Sequence, residues 1–136
     1  MTLGNRARVS GPLLDRIDMH IHVSALPVNE LMTVRGPAQE GSEAVRTRVK
    51  AARNLQLERN RKTNAQLTNS ETEMAVKLND EHRKLLNKAM NKFNLSARAY
   101  HRILRVARTI ADLAGEAAVS PDHLGEAISF RSIERY

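Results

Sequence analysis

The sequence predicts a mainly α protein: a four- to five-helix bundle preceded by one orphan β-strand and a loop-rich linker. Three observations carry this expectation. Apolar residues recur at helical spacing from residue 42 onward, residues 17–23 alternate strictly, and Pro27, Gly36, Pro37 and Gly41 crowd the stretch between them. Composition agrees. Of 136 residues 41% are hydrophobic but only 3% aromatic, so a core must come from Ala, Leu, Ile, Val and Met. The same scarcity of rings disfavours a base-stacking surface, which needs several aromatics on one face.

Each element follows in order. Ile17, Met19, Ile21 and Val23 point one way and Asp18, His20 and His22 the other, which is a strand signal. A lone strand leaves its N–H and C=O groups unpaired, so this one cannot be a complete sheet. Residues 25–41 read as a linker holding one helical turn at VNELM. Ser42 is the expected N-cap of a helix running to about Lys62. Its Ala44, Val45, Val49, Ala51, Ala52 and Leu55 fall within about 160° of arc. Arg46, Lys50, Arg53 and Arg61 lie opposite, while Arg48, Leu57 and Arg59 break the pattern.

A short helix is expected over 68–79, capped by Asn69 or Ser70. Another opens at Asp80, with Leu85, Leu86, Ala89, Met90 and Phe93 on its apolar side. Ser96 caps the strongest helix, whose apolar set is Tyr100, Ile103, Leu104, Val106, Ala107, Ile110, Ala111, Leu113 and Ala114. That set covers about 200°, which implies burial on several sides. Gly115 is a natural stop, and Ser120 followed by Pro121 is a cap with proline in the first turn. The last helix turns Leu124, Ala127 and Ile128 inward.

Lys and Arg number 22 against 15 Asp and Glu, a net charge of +7. Residues 42–63 carry seven basic side chains against Glu43 and Glu58 and hold most of the excess. An anionic partner is expected. There is no cysteine, so disulfides, thiolate nucleophiles and Cys-type zinc sites are excluded. No apolar run approaches the roughly 20 residues of a membrane span, and the start MTLGNRARVS lacks the apolar middle of a secretory signal. A cytoplasmic protein without a membrane partner is expected.

Gly36–Glu43 superficially resembles a phosphate-binding loop, but Ser42 stands where that loop needs Lys. His20 and His22 share one strand face without a third ligand, so a solvated or partner-facing role is expected over a metal; His82, His101 and His123 read as surface or boundary residues. Arg98 sits in the first turn of the helix capped by Ser96, where a cation opposes the helix dipole. It is either an anion-binding residue or a harmless exposed one. Arg98, Arg102, Arg105 and Arg108 share a polar face, suited either to phosphate or to salt bridges between helices or subunits. Arg108 and Asp112 are four apart and can pair. Arg16, between Asp15 and Asp18, is by default a local ion pair.

SGPLLDRIDMHIHV at 10–23, LSARAYHRILRVARTIADL at 95–113 and HLGEAISFR at 123–131 together resemble the magnesium-chelatase-like ComM family of AAA+ ATPases. The resemblance spans nearly all of residues 10–135 in the expected order. It implies that residues 1–24 are the C-terminal edge of an ATPase core, 25–41 a linker and 42–136 the helical lid. The strand is then the last of a parallel sheet whose other strands, with the Walker motifs, lie upstream. By its place in LLDRID, Arg16 is implied to be the arginine finger that reaches a neighbouring subunit's γ-phosphate. By its place in LSARAY, Arg98 is implied to be the sensor-2 arginine, with Arg102 a weaker candidate for the same phosphate. The family implies a hexameric ring that uses ATP and Mg2+ and moves on DNA, with branch migration in recombination and natural transformation as its role. Arg46, Lys50, Arg53 and Arg61 are the residues expected to meet nucleic acid. The rival expectation is an autonomous basic helical module that binds DNA or docks subunits without catalysis.

Overall fold

The computed structural model describes residues 10–31 and 39–132. The MTLG start, Gly36 and Pro37 of the expected linker, and residues 133–136 lie outside the described residues. The fold is helical, as expected: α1 (Gly11–Arg16), α2 (Val28–Leu31), α3 (Ser42–Asn60), a 3₁₀ turn (Asn64–Gln66), α4 (Asn69–Val76), α5 (Asp80–Phe93), α6 (Ala97–Leu113) and α7 (Pro121–Ser132). Among the described residues no helix is long and apolar enough to cross a membrane.

Helix α6 is the axis of the bundle. It packs against α1, α3, the 3₁₀ turn, α4 and α7, while α5 packs against α7. Its Ile103, Leu104, Val106, Ala107 and Ala111 are buried with Val76, Leu86, Ala89, Val119, Leu124, Ala127 and Ile128. Leu113, counted above in the apolar set, is instead 46% exposed at the helix end.

The caps explain the boundaries. Ser96 Oγ accepts the Ala99 N–H at 3.1 Å, and Gly115 takes φ +71° just past α6. Helix α4 is capped by Thr68 rather than Asn69 or Ser70. Glu71, three residues on, returns a bond to the Thr68 N–H, and that reciprocal box fixes the start. Asn79 caps α5 and Asp80 is its first residue. Gly41, not Ser42, occupies the cap position of α3, with no side-chain bond to the helix; Arg61 in the left-handed region ends it.

Residues 17–23 are not a strand. No strand occurs among the described residues, because nothing lies beside this segment to complete a ladder. Its polar backbone is engaged by the bundle instead: His20 N–H donates to Phe130 O at 2.9 Å and Arg131 donates to Ile17 O. The expected apolar arc of α3 is also corrected. Only Ala52 and Gln56 of that helix are buried, and residues 42–51 are exposed throughout.

His82 and His123 are buried rather than at the surface. Each occupies the third position of its helix, with Nδ1 accepting the cap residue's N–H: from Asn79 at 3.3 Å and from Ser120 at 3.0 Å. Histidine here takes the place that Glu or Gln holds in the usual capping box.

Candidate functional site

The four arginines along α6 meet four different environments. Arg98, in the first turn, has a side chain 53% exposed and stands 3.7 Å from Asp15. Arg102, one turn on and partly buried, is hydrogen-bonded to Asp18. Arg105 Nη2 donates to Asn69 Oδ1 at 3.0 Å, a neutral partner at the start of α4. Arg108 turns inward and is almost fully buried. Arg98, Arg102 and Arg105 therefore line a cleft of about 350 Å³ with Asn69, Ala97 and His101. The expectation of one shared polar face holds for three of the four.

Arg108 belongs to a buried network. Its Nη1 and Nη2 donate to the carbonyls of Ala117 and Glu116 at 2.9 and 2.7 Å, and its Nε donates to Asp112 at 3.2 Å. Asp112 also accepts from Arg59 Nη1 at 2.7 Å and from Asn64 Nδ2 at 2.9 Å. Burial opposes the ionised carboxyl, yet the bonds from Arg59 and Asn64 and the charge of Arg108 prevail and hold it below the usual carboxylate range. Burial also pushes the Arg108 guanidinium down, against the pull of Asp112. The pairing of Arg108 with Asp112 expected from their spacing is thus present, but inside the bundle. Arg59 breaks the amphipathic pattern of α3 because it reaches this buried acid.

A second arrangement centres on Asp15. The Ser96 hydroxyl, which caps α6 by accepting an N–H, donates its own proton to Asp15 at 2.9 Å. Arg131, 1% exposed near the end of α7, donates to Asp15 Oδ1 at 3.2 Å, to the Asp15 carbonyl at 3.3 Å and to the Ile17 carbonyl. Asp15 and Asp18 are therefore taken by the bundle rather than by the residue between them. The expected local ion pair of Arg16 is absent: this exposed side chain has no ion pair among the described residues. Arg98 stands 3.7 Å from the carboxylate of Asp15, whose sequence neighbour Arg16 makes no ion pair among the described residues. Beside them lies a depression of about 410 Å³ lined in part by Pro12, Asp15, Asn94, Ser96 and Arg98.

Arg131 carries no role in the sequence analysis, although a signal was present. Leu124, Ala127, Ile128 and Arg131 stand at i, i+3, i+4 and i+7, which places the arginine on the buried stripe of α7.

The basic segment on α3 divides. Arg46 pairs with Glu43 at 3.2 Å, Arg48 with Glu40, Arg59 with Asp112, and Lys62 with Glu71 at 2.7 Å. Lys50, Arg53 and Arg61 are exposed without an ion pair among the described residues. No group of three His, Asp or Glu able to hold a metal ion lies among the described residues.

Residues 39–131 match the family described as magnesium chelatase, subunit ChlI C-terminal. The chain is 48% identical to competence protein ComM of Haemophilus influenzae over 94% of its own length and 25% of that protein. It is 40% identical to protein YifB of Escherichia coli over 98% of its length and 26% of that protein. A Mycobacterium tuberculosis relative is 33% identical over 91% of the chain. The chain thus spans about a quarter of the length of these curated relatives.

Proposed function

Because the chain belongs to the magnesium chelatase ChlI C-terminal family, we propose that it is the lid region of an ATP-hydrolysing ring protein, with a short piece of the core preceding it. The observation that carries the proposal is the placement of Arg98: it is exposed at the start of α6, 3.7 Å from Asp15, the residue that precedes Arg16 in the chain. Two arginines held on one edge of one subunit are suited to a single phosphate at the subunit boundary. Arg16 serves as the finger, and Arg98, at the start of α6, serves as the sensor beside it.

The chemistry follows from charge. In phosphoryl transfer the transition state spreads negative charge over the terminal phosphate oxygens, and a positioned guanidinium stabilises it. Arg98 fits that task. It is exposed beside a helix N-terminus, and its pair with Asp15 is a long surface contact worth no more than about 1 kcal/mol, which a phosphate can displace. Arg102 is more firmly held by Asp18 and acts as a supporting charge. Magnesium would travel with the nucleotide, shielding its phosphates; its protein ligands are assigned to the longer protein, since the described residues bring no suitable acids together.

The substrate proposed is DNA, moved by ATP-driven branch migration in recombination and natural transformation, as the resemblance to the magnesium-chelatase-like ComM family implies; the Haemophilus influenzae relative is named a competence protein. Lys50 and Arg53, with Arg46 and Arg61 at either end, supply a sequence-independent contact to phosphates. The test is direct. In the complete ATPase, Arg16→Ala and Arg98→Ala should each lower ATP turnover by about 10³-fold or more with unchanged circular dichroism. Wild-type rates in either variant would remove that residue from the site. The 136-residue chain should not turn over ATP; hydrolysis above an Arg98→Ala control refutes the division of labour.

A second reading, a basic module that binds DNA on its own, is favoured by the unpaired cations of α3. Titration at two salt concentrations separates them: tight binding at about 0.2 M salt supports the module, and steep loss supports an accessory contact.

A further inference from the structure

We propose that Arg131 is a positioning residue: it clasps Asp15 and the adjoining backbone so that Arg16 and Arg98 move as one rigid unit. The clasp itself stands on the geometry; its consequence for turnover rests on the phosphate roles given above for those two arginines.

Apolar burial cannot hold the Arg16 segment in place. Helix α1 contributes no buried residue, and Leu13, Ile17 and Met19 are all exposed. Without a strand ladder, attachment falls to polar contacts. Arg131 supplies three of them: one to the Asp15 carboxylate and one each to the carbonyls of Asp15 and Ile17. These bonds form around a guanidinium that is 1% exposed, where water competes weakly. Ser96 and Arg102 add contacts from α6, and His20 N–H adds one to Phe130 O, a residue away from Arg131. The planar fork matters, because a lysine ammonium cannot address a carboxylate and two carbonyls in fixed directions. One buried side chain on α7 thus ties the residues flanking Arg16 to the bundle whose α6 carries Arg98 in its first turn.

Amide exchange on the 136-residue chain tests the clasp. Arg131→Gln and Asp15→Asn should each speed exchange at His20 and Ile17 by about tenfold or more, leaving Ile103, Leu104 and Ala107 protected. Unchanged protection at His20 and Ile17 in both variants overturns the proposal. Loss of α6 protection in both also overturns it, because the residues would then serve the core rather than the segment. Should Arg131→Gln alone disturb α6, Asp15→Asn, which removes no buried side chain, decides.

The complete ATPase supplies the second measurement. Arg131→Gln should lower kcat on the order of 10²-fold, the cost of misplacing a charge by about 1 Å, with KM for ATP within about twofold. Combined with Arg98→Ala it should add little, whereas fully additive losses refute the coupling. If Arg16→Ala and Arg98→Ala themselves leave turnover intact, the phosphate roles fail, and the exchange data still judge the clasp.

Discussion

Asp112→Asn removes one negative charge from the interior of the bundle and almost no volume. In the native protein that carboxylate accepts from Arg59, Asn64 and Arg108, with its own side chain 1% exposed. Removing one member of a buried charged network costs about 3–5 kcal/mol, mostly because the remaining charge stays buried without its counterion. The lower end applies here. Arg59 is 27% exposed and can turn to water, and Arg108 keeps the carbonyls of Glu116 and Ala117. A loss of about 3 kcal/mol is a large part of the stability of a domain this size, and lowers Tm by roughly 12 °C. Thermal unfolding followed by circular dichroism at neutral pH measures it. The gap should depend on pH. The folded-state pKa of Asp112 is depressed, so its contribution is complete above the unfolded value near 4 and is lost as pH falls through the folded value. Wild type and variant should therefore converge as pH falls below the folded value. A neutral-pH difference under about 1 kcal/mol, or one that stays constant into acid, refutes the account of this network.

Other perturbations read single features. His123→Ala should cost about 1 kcal/mol in urea unfolding, while His123→Gln, which restores an ordinary capping-box acceptor, should cost clearly less; equal losses would show that packing, not the Nδ1 bond, matters. Thr68→Ala should cost about 1 kcal/mol and fray only the start of α4, as read by exchange at Glu71 and Thr72. Gly115→Ala should lose about 1 kcal/mol from backbone conformation alone, since φ is +71° and open space surrounds the position. Charge reversal at Lys50 and Arg53 should weaken DNA binding and flatten its salt dependence in the complete protein; an unchanged salt slope would relieve α3 of that role.

Local features of the helices were readable before the structure. The starts of α5, α6 and α7 follow from Asp80, Ser96 and Ser120–Pro121, because end signals act over three or four residues; the Asn79 cap of α5 was not singled out. The arginines that serve the interior were not readable by polarity. Arg108 and Arg131 are buried and Arg59 reaches a buried acid from the rim; spacing disclosed Arg131, but it put Arg108 on the polar face and left Arg59 as a break in the pattern. Their partners lie 53 residues away for Arg59 and 116 for Arg131, a separation that no local pattern encodes. The alternation at 17–23 misled for a related reason: it describes two faces of an extended chain, whereas a strand also requires a neighbour. Arg16 and Arg98 were singled out separately. That Arg98 meets Asp15, the residue beside Arg16, emerges only when α1 is laid against α6.

The exposed first half of α3 has a mechanical consequence. Ten residues of helix reach about 15 Å beyond the anchored turns at Ala52 and Gln56. A rod of that length converts rotation at its base into travel at its tip. A tilt of about 10° about Ala52 carries Ser42 through roughly 3 Å, the width of a water molecule. Lys50 lies near the pivot and Arg46 near the tip, so the same tilt moves Arg46 several times farther than Lys50.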